Sequence, residues 1–227
     1  MTILQEPIPF QYHFQPNWVM VVIVLSVMII GYLFSAFNSR FVAVVKAFFS
    51  ARFAEQLSRE EHSLSHPSSV FLSLNFLVTS SLFILLAIYS FDNSLMPFAF
   101  PYYLLVFGIV LAIYFIKIVS LKILGFIFDK THVVNEYIFI TYLVNQVVGI
   151  AFIPVIIFVA YGQPALVNAF VYIGISLFAL EFLIRVGKGA IAVLSSGEVT
   201  LFYLLLYLCT LEILPLLFAW KLLERIA

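Results

Sequence analysis

Charge is what this 227-residue chain has least of: eleven basic and eleven acidic side chains, 10% of the residues, against 64% apolar. A soluble domain carries about a quarter charged residues. So few charges cannot cover a water-facing surface, and lipid must be the main solvent. The charges also cancel, which leaves no basic face for nucleic acid. A single cysteine, Cys209, excludes an internal disulfide and a multi-cysteine metal site. It lies in an apolar run and reads as a packing residue. Of the four histidines, His13, His62, His66 and His132, none falls in an expected span, which argues against a bis-histidine haem in the bilayer. His62 and His66 are four apart, a spacing that suits a metal on a helix, but the HExxH order is absent and Pro67 follows directly. They read as a surface pair without metal. No nucleotide-binding glycine loop and no GxSxG nucleophile occurs, and Ser195-Ser196-Gly197 reads as a turn. No catalytic residue, cofactor or metal is implied. Met1 to Pro16 contains no Lys or Arg and so lacks the basic start of a cleaved signal peptide. The first apolar run is expected to be retained.

What the chain has in abundance is phenylalanine, 26 residues, and long apolar runs. A helix that crosses about 30 Å of hydrocarbon needs roughly 20 apolar residues. The runs predict an all-α polytopic transmembrane helix bundle of about six spans plus one amphipathic surface helix, all in a single domain. The spans are 17–37, 70–91, 101–121, 135–161, 165–185 and 199–220. Residues 137–180 carry no charge at all and are too long for one crossing. Tyr161-Gly162-Gln163-Pro164 supplies the break, because Gly ends helices and Pro starts them. In 38–63, Phe41, Val45, Phe48, Phe49, Phe53 and Leu57 recur at helical spacing among Arg40, Lys46, Arg52, Glu55, Arg59, Glu60 and Glu61. That pattern predicts an amphipathic helix at the membrane surface or against the bundle; the alternative is a cytosolic extension of the first helix.

Basic residues orient the chain. Arg40, Lys46, Arg52 and Arg59 fall between the first two spans, Lys117, Lys122 and Lys130 around the third-to-fourth connection, and Arg185 and Lys188 around the fifth-to-sixth. The opposite connections and the N-terminus carry none. This places the N-terminus outside and the basic loops in the cytosol. Lys221 and Arg225 run against a sixth full crossing, but nine basic residues outweigh two.

Ionisable groups in apolar spans are expensive and default to functional hypotheses. Lys117, Glu136, Glu181 and Arg185 lie towards the cytosolic ends of their helices and read first as a charged belt that fixes orientation and packing. Glu181 and Arg185 are four apart and can pair. Glu212 lies deeper, and Pro215 cannot donate to the carbonyl of Leu211. A kink beside a protonatable acid makes a candidate intramembrane polar site. Tyr142, Asn145 and Gln146 of the fourth span are its candidate neighbours, and with Thr141 and Gly149 they also read as the packing glue of membrane helices.

The stretch Phe202-Tyr203-Leu204-Leu205-Leu206-Tyr207-Leu208-Cys209-Thr210-Leu211-Glu212-Ile213-Leu214-Pro215 resembles the closing motif of the domain of unknown function 4271 family, integral membrane proteins of Bacteroidota. Phe48-Phe49-Ser50-Ala51-Arg52-Phe53 with Arg59-Glu60-Glu61, the segment from Lys117 to Lys122, Glu136-Tyr137-Ile138-Phe139, and Gly149 with Pro154 resemble it too. The general plan is more distantly similar to the Yip1-type membrane fold. The resemblance implies a protein of a Gram-negative cell inner membrane and supplies no catalytic residues.

Three functions compete. The first is a non-enzymatic interaction or scaffold protein assisting a membrane complex, with the lipid bilayer and membrane proteins as its partners. The second is a small transporter or proton-coupled carrier centred on Glu212. The third is a lipid-handling enzyme on the cytosolic face, which requires His or acidic groups to converge in a pocket, for example His62, His66, Glu136 and Asp129.

Overall fold

The computed structural model describes residues 16–50, 53, 57, 67–91, 98–127, 129 and 131–196. The described residues form six helices and no strand: α1 (Asn17–Ala36), α2 (Asn38–Phe49), α3 (Pro67–Phe91), α4 (Phe100–Ile127), α5 (Thr131–Tyr161) and α6 (Pro164–Ser196). All but α2 are long and apolar enough to cross a membrane. The architecture is the expected all-α bundle. The sixth expected span, with Cys209, Glu212 and Pro215, lies outside the described residues, as do His13, His62 and His66.

Local chemistry explains the helix ends. Pro16 precedes α1 with φ −59° and ψ 144°, and its carbonyl accepts the amide of Val19 at 3.0 Å. Pro67 opens α3 and Pro164 opens α6, positions where a missing N–H costs nothing. Between α5 and α6, the Gly162 amide donates to the Phe158 carbonyl at 2.9 Å, and a Cβ on residue 162 would stand 2.2 Å from that same oxygen. Only glycine fits this reversal.

Three expectations about boundaries are corrected. The amphipathic helix does not run unbroken through 38–63: α2 stops at Phe49, and Ser50 is extended at φ −133° and ψ 120°. Lys188 of α6 donates to the Phe48 carbonyl at 3.4 Å, occupying an acceptor that a continuing helix would offer to residue 52. The contact also brings a cation to the negative end of α2. The fifth span continues past Arg185, and Ser195 and Ser196 are helical rather than a turn. The third span likewise runs on to Ile127. Hydropathy marks the lipid-crossing part of a helix, and the hydrogen-bonded ladder outlasts it.

The helix α5 is the central post of the bundle. It touches each of the other five described helices, most extensively α3 and α6. α3 is the other inner helix, and α4 and α6 are peripheral, with only 17% of each apolar window buried. One apolar cluster joins Val22, Leu82, Phe83, Val106, Phe152 and Val171 from five helices. A second joins Leu33, Val44, Ala47, Leu57, Leu72, Phe139 and Leu143, seating α2 against α1, α3 and α5. The docked face of α2 is therefore Val44 and Ala47, and Phe49 points away, 80% exposed.

The two ends of the bundle differ chemically. At one end Trp18 stacks among Phe98, Tyr103 and Phe100 at ring separations of 5.3, 5.5 and 5.8 Å, the aromatic composition of a membrane interface. At the other, Lys188 lies 5.6 Å over the Phe48 ring, so α2 and the basic part of α6 share one end.

α3 and α5 approach closely at Gly149. A Cβ added to Gly149 would stand 2.7 Å from the Phe76 Cα, so the two backbones meet where a side chain cannot fit. The Thr79 hydroxyl reaches the Gly149 carbonyl at 3.4 Å across this contact. Small-residue packing of this kind replaces the hydrophobic effect as the force between helices in lipid.

Candidate functional site

Polar side chains from three helices meet where α4 and α6 pack on α5. Asn145 is at the centre, with 1% exposure. Its Nδ2 donates to the Tyr114 hydroxyl on α4 at 2.9 Å, and its Oδ1 accepts from Arg185 Nη2 on α6 at 2.6 Å. Arg185 also pairs with Glu181 one turn earlier on α6. The amide thus uses both of its ends and ties three helices together. Tyr142, one turn before Asn145, presents its ring edge-on to Tyr114 at 5.7 Å. Lys117 follows Tyr114 by one turn on α4 and is buried, with 8% exposure. Counted from the aromatic end at ~1.5 Å per residue, Tyr114, Asn145 and Glu181 lie ~21–26 Å along their helices. That depth is in the last third of a roughly 30 Å hydrocarbon core.

Gln146 belongs to a different contact. Its Nε2 donates to the Ser69 carbonyl at 3.1 Å and to the Ser73 hydroxyl at 3.2 Å, both on α3. Successive helical residues point about 100° apart, so Asn145 and Gln146 serve two interfaces. The sequence grouped Tyr142, Asn145 and Gln146 into one site. The structure keeps Tyr142 and Asn145 together with Tyr114, Glu181 and Arg185, and turns Gln146 towards α3. Glu136 is half-buried on α5, nine residues and ~14 Å along the axis from Asn145. Asp129 sits in the α4–α5 turn at φ 53°, a left-handed conformation that Asp tolerates. Among the described residues no group of three or more His, Cys, Asp or Glu side chains is placed to hold a metal.

Sequence reasoning missed Tyr114 and the polar face of α3. Ser69, Asn75, Thr79, Ser80 and Ser81 are all buried. The Thr79 hydroxyl donates to the Asn75 carbonyl at 2.8 Å, and the Ser81 hydroxyl to the Leu77 carbonyl at 2.6 Å. Asn75 is completely buried, and neither atom of its amide has a hydrogen-bond partner among the described residues. A small cavity between α1, α3 and α5 is lined by Ser26, Thr79, Ile23, Leu82, Ile153 and Ile156. The available signal was a run of small polar residues in a span without charges, several of them four apart.

No curated protein and no solved structure matches this chain. A family model does, over residues 19–223, and its description is a domain of unknown function, DUF4271. That match takes in every transmembrane helix described above and continues through the apolar stretch that carries Glu212. The chain is therefore a member of the DUF4271 family.

Proposed function

We propose that this protein is a non-enzymatic accessory or scaffold of a membrane complex, residing in the inner membrane of a Gram-negative bacterium of the Bacteroidota. In this reading the N-terminus is outside and the basic end faces the cytosol. The observation that carries it is the way the interior polar groups are used. Asn145 spends both ends of its amide on Tyr114 and Arg185, Arg185 also holds Glu181, and Gln146 holds two acceptors of α3. These groups act on one another, which is the arrangement of a rigid post rather than of a substrate passage. Two peripheral helices then offer broad apolar faces to other helices: α4 displays Leu104, Gly108 and Phe115, and α6 displays Ile173 and Leu180.

The test is affinity capture of the full-length protein from native membranes in mild detergent, with quantitative mass spectrometry. A stoichiometric membrane partner is expected, and it is expected to be lost when Gly108→Trp is placed on the outer face of α4. Recovery of the protein alone, from cross-linked as well as untreated membranes, overturns the proposal.

A second reading is a small proton-coupled carrier. It is favoured by one observation, the burial of Lys117 and Glu181 within spans, since ionisable groups at such depth commonly mark ion pathways. Glu212, the centre of that reading in the sequence, lies outside the described residues. Proton flux in proteoliposomes that disappears in Glu181→Gln while the fold is retained decides for the carrier.

A further inference from the structure

A hydroxyl inside a membrane helix can satisfy itself on its own backbone, donating to the carbonyl three or four residues earlier. Serines of α3 do so: Ser73 donates to the Ser69 carbonyl at 2.8 Å, Ser81 to that of Leu77 at 2.6 Å and Ser90 to that of Leu86 at 2.9 Å. Ser26 of α1 does not. It is buried, with 2% exposure, and its Oγ has no hydrogen-bond partner among the described residues. It follows Asn17, the first residue of α1, by ~14 Å at helical rise, near the middle of a roughly 30 Å hydrocarbon core. Bulk water does not reach that depth, and a buried hydroxyl without a partner is destabilising.

Ser26 borders the cavity between α1, α3 and α5, whose volume is about 10 Å³. That is room for one water and no more. Two acceptors are at hand. The Thr79 hydroxyl has one proton, and its shortest contact is the Asn75 carbonyl at 2.8 Å, with the carbonyls of Phe76 and Gly149 at 3.2 and 3.4 Å. A proton given to Asn75 leaves the lone pairs of Thr79 Oγ1 able to accept. The Gly149 carbonyl stands beside that oxygen, one turn before the cavity-lining Ile153, and has a second lone pair beyond its helical bond. One donor and two acceptors are three partners, the usual complement of a buried water. A purely apolar cavity stays dry, but this one carries an unpartnered donor in its wall.

We propose that this cavity is a hydration site at the centre of the bilayer, holding one water that accepts the Ser26 proton and donates to Thr79 Oγ1 and the Gly149 carbonyl. The water joins α1 to α3 and α5. It supplies the polar link for which α1 has a single buried polar side chain, Ser26, beside the close contact that Gly149 makes with Phe76. The site is independent of what the protein assists.

The sign of one substitution separates a wet cavity from a dry one. In a wet cavity Ser26→Ala strips the water of its donor and is expected to lower the thermal midpoint by about 2–4 °C. In a dry cavity the same change removes an unpaired hydroxyl and raises the midpoint. Thr79→Val is expected to lower it as well, and the double variant by less than the sum of the two, because both side chains act through the same water. The direct readout is nuclear Overhauser transfer from the water resonance to ¹³C-labelled methyl groups of the full-length, otherwise deuterated protein in lipid nanodiscs. Transfer is expected at Ile23 and Ile153, which line the cavity, and not at Val171, buried in the same apolar cluster as Ile23 but not part of the lining. It is expected to weaken in Ser26→Ala. A raised midpoint in Ser26→Ala, strictly additive losses, or no transfer at Ile23 and Ile153 would each overturn the proposal. Should Thr79→Val not fold, the native spectrum and Ser26→Ala decide alone.

Discussion

Replacing Gly149 by alanine adds one methyl group where the backbone of α5 meets that of α3 at Phe76. The new Cβ would stand 2.7 Å from the Phe76 Cα and 2.8 Å from its Cβ. Ordinary contact begins at 3.4 Å, so the helices must part by about 0.7 Å, and backbone cannot swing aside as a side-chain tip can. A gap of that size forfeits roughly a quarter to a half of each dispersion contact it opens. The loss would spread along the most extensive helix interface in the bundle. It would also stretch the bond from Thr79 to the Gly149 carbonyl, already 3.4 Å long, and the pair that Gln146 makes to Ser69 and Ser73. Overpacking of this kind costs about 1–3 kcal/mol, which for a chain of this size corresponds to roughly 2–4 °C of thermal midpoint per kcal/mol. The control is Gly31→Ala on α1, where nothing lies within 4 Å of the added Cβ; its midpoint should be unchanged or raised, because alanine is the better helix former. Both variants are to be purified in the same detergent and melted by tryptophan fluorescence or by a thiol-reactive dye on Cys209. Equal stability of Gly149→Ala and the native protein would refute the claim that backbone contact at this residue holds α3 to α5.

Other outcomes follow from the polar groups. Gln146→Leu removes two donations to α3 and is expected to cost about 0.6–1.7 kcal/mol, measured by the same melt. Arg185→Gln removes the guanidinium that pairs with the buried Glu181, and breaking a buried pair in this way costs about 3–5 kcal/mol. The double variant Glu181→Gln with Arg185→Gln should be more stable than Arg185→Gln alone, and a double variant that is worse contradicts the pairing. Asn75→Leu replaces an amide that makes no hydrogen bond among the described residues. It should stabilise the protein by about 1–3 kcal/mol. If it does so and abolishes partner capture, Asn75 is retained for binding rather than for folding.

The sequence made the spans legible because lipid imposes one dominant constraint, a run of apolar residues long enough to cross it. Pro67, Gly162 and Pro164 marked ends correctly because each acts on its own backbone. What stayed hidden was set by contacts between distant residues. The stop at Ser50 coincides with Lys188, 138 residues later, engaging the carbonyl of Phe48, and no local pattern contains that contact. The pairing of Glu181 with Arg185 was readable from their i,i+4 spacing, but its third member, Asn145, was not. Neighbouring polar residues on one helix look like one site until the faces they occupy are known. Tyr114 and the serines of α3 carry no charge and merge with the apolar background of any hydropathy profile.

The position of α5 has a consequence for biosynthesis. The post that every other described helix leans on is the fifth of the six to emerge from the ribosome. Until it arrives, α3 must enter the bilayer with Ser69, Ser73, Asn75 and Thr79 facing no completed interface, and α4 must do so with Tyr114 and Lys117 uncovered. The early helices therefore have reason to linger beside the insertion machinery, where water and protein can shelter those groups, and to leave for lipid only once the post has entered.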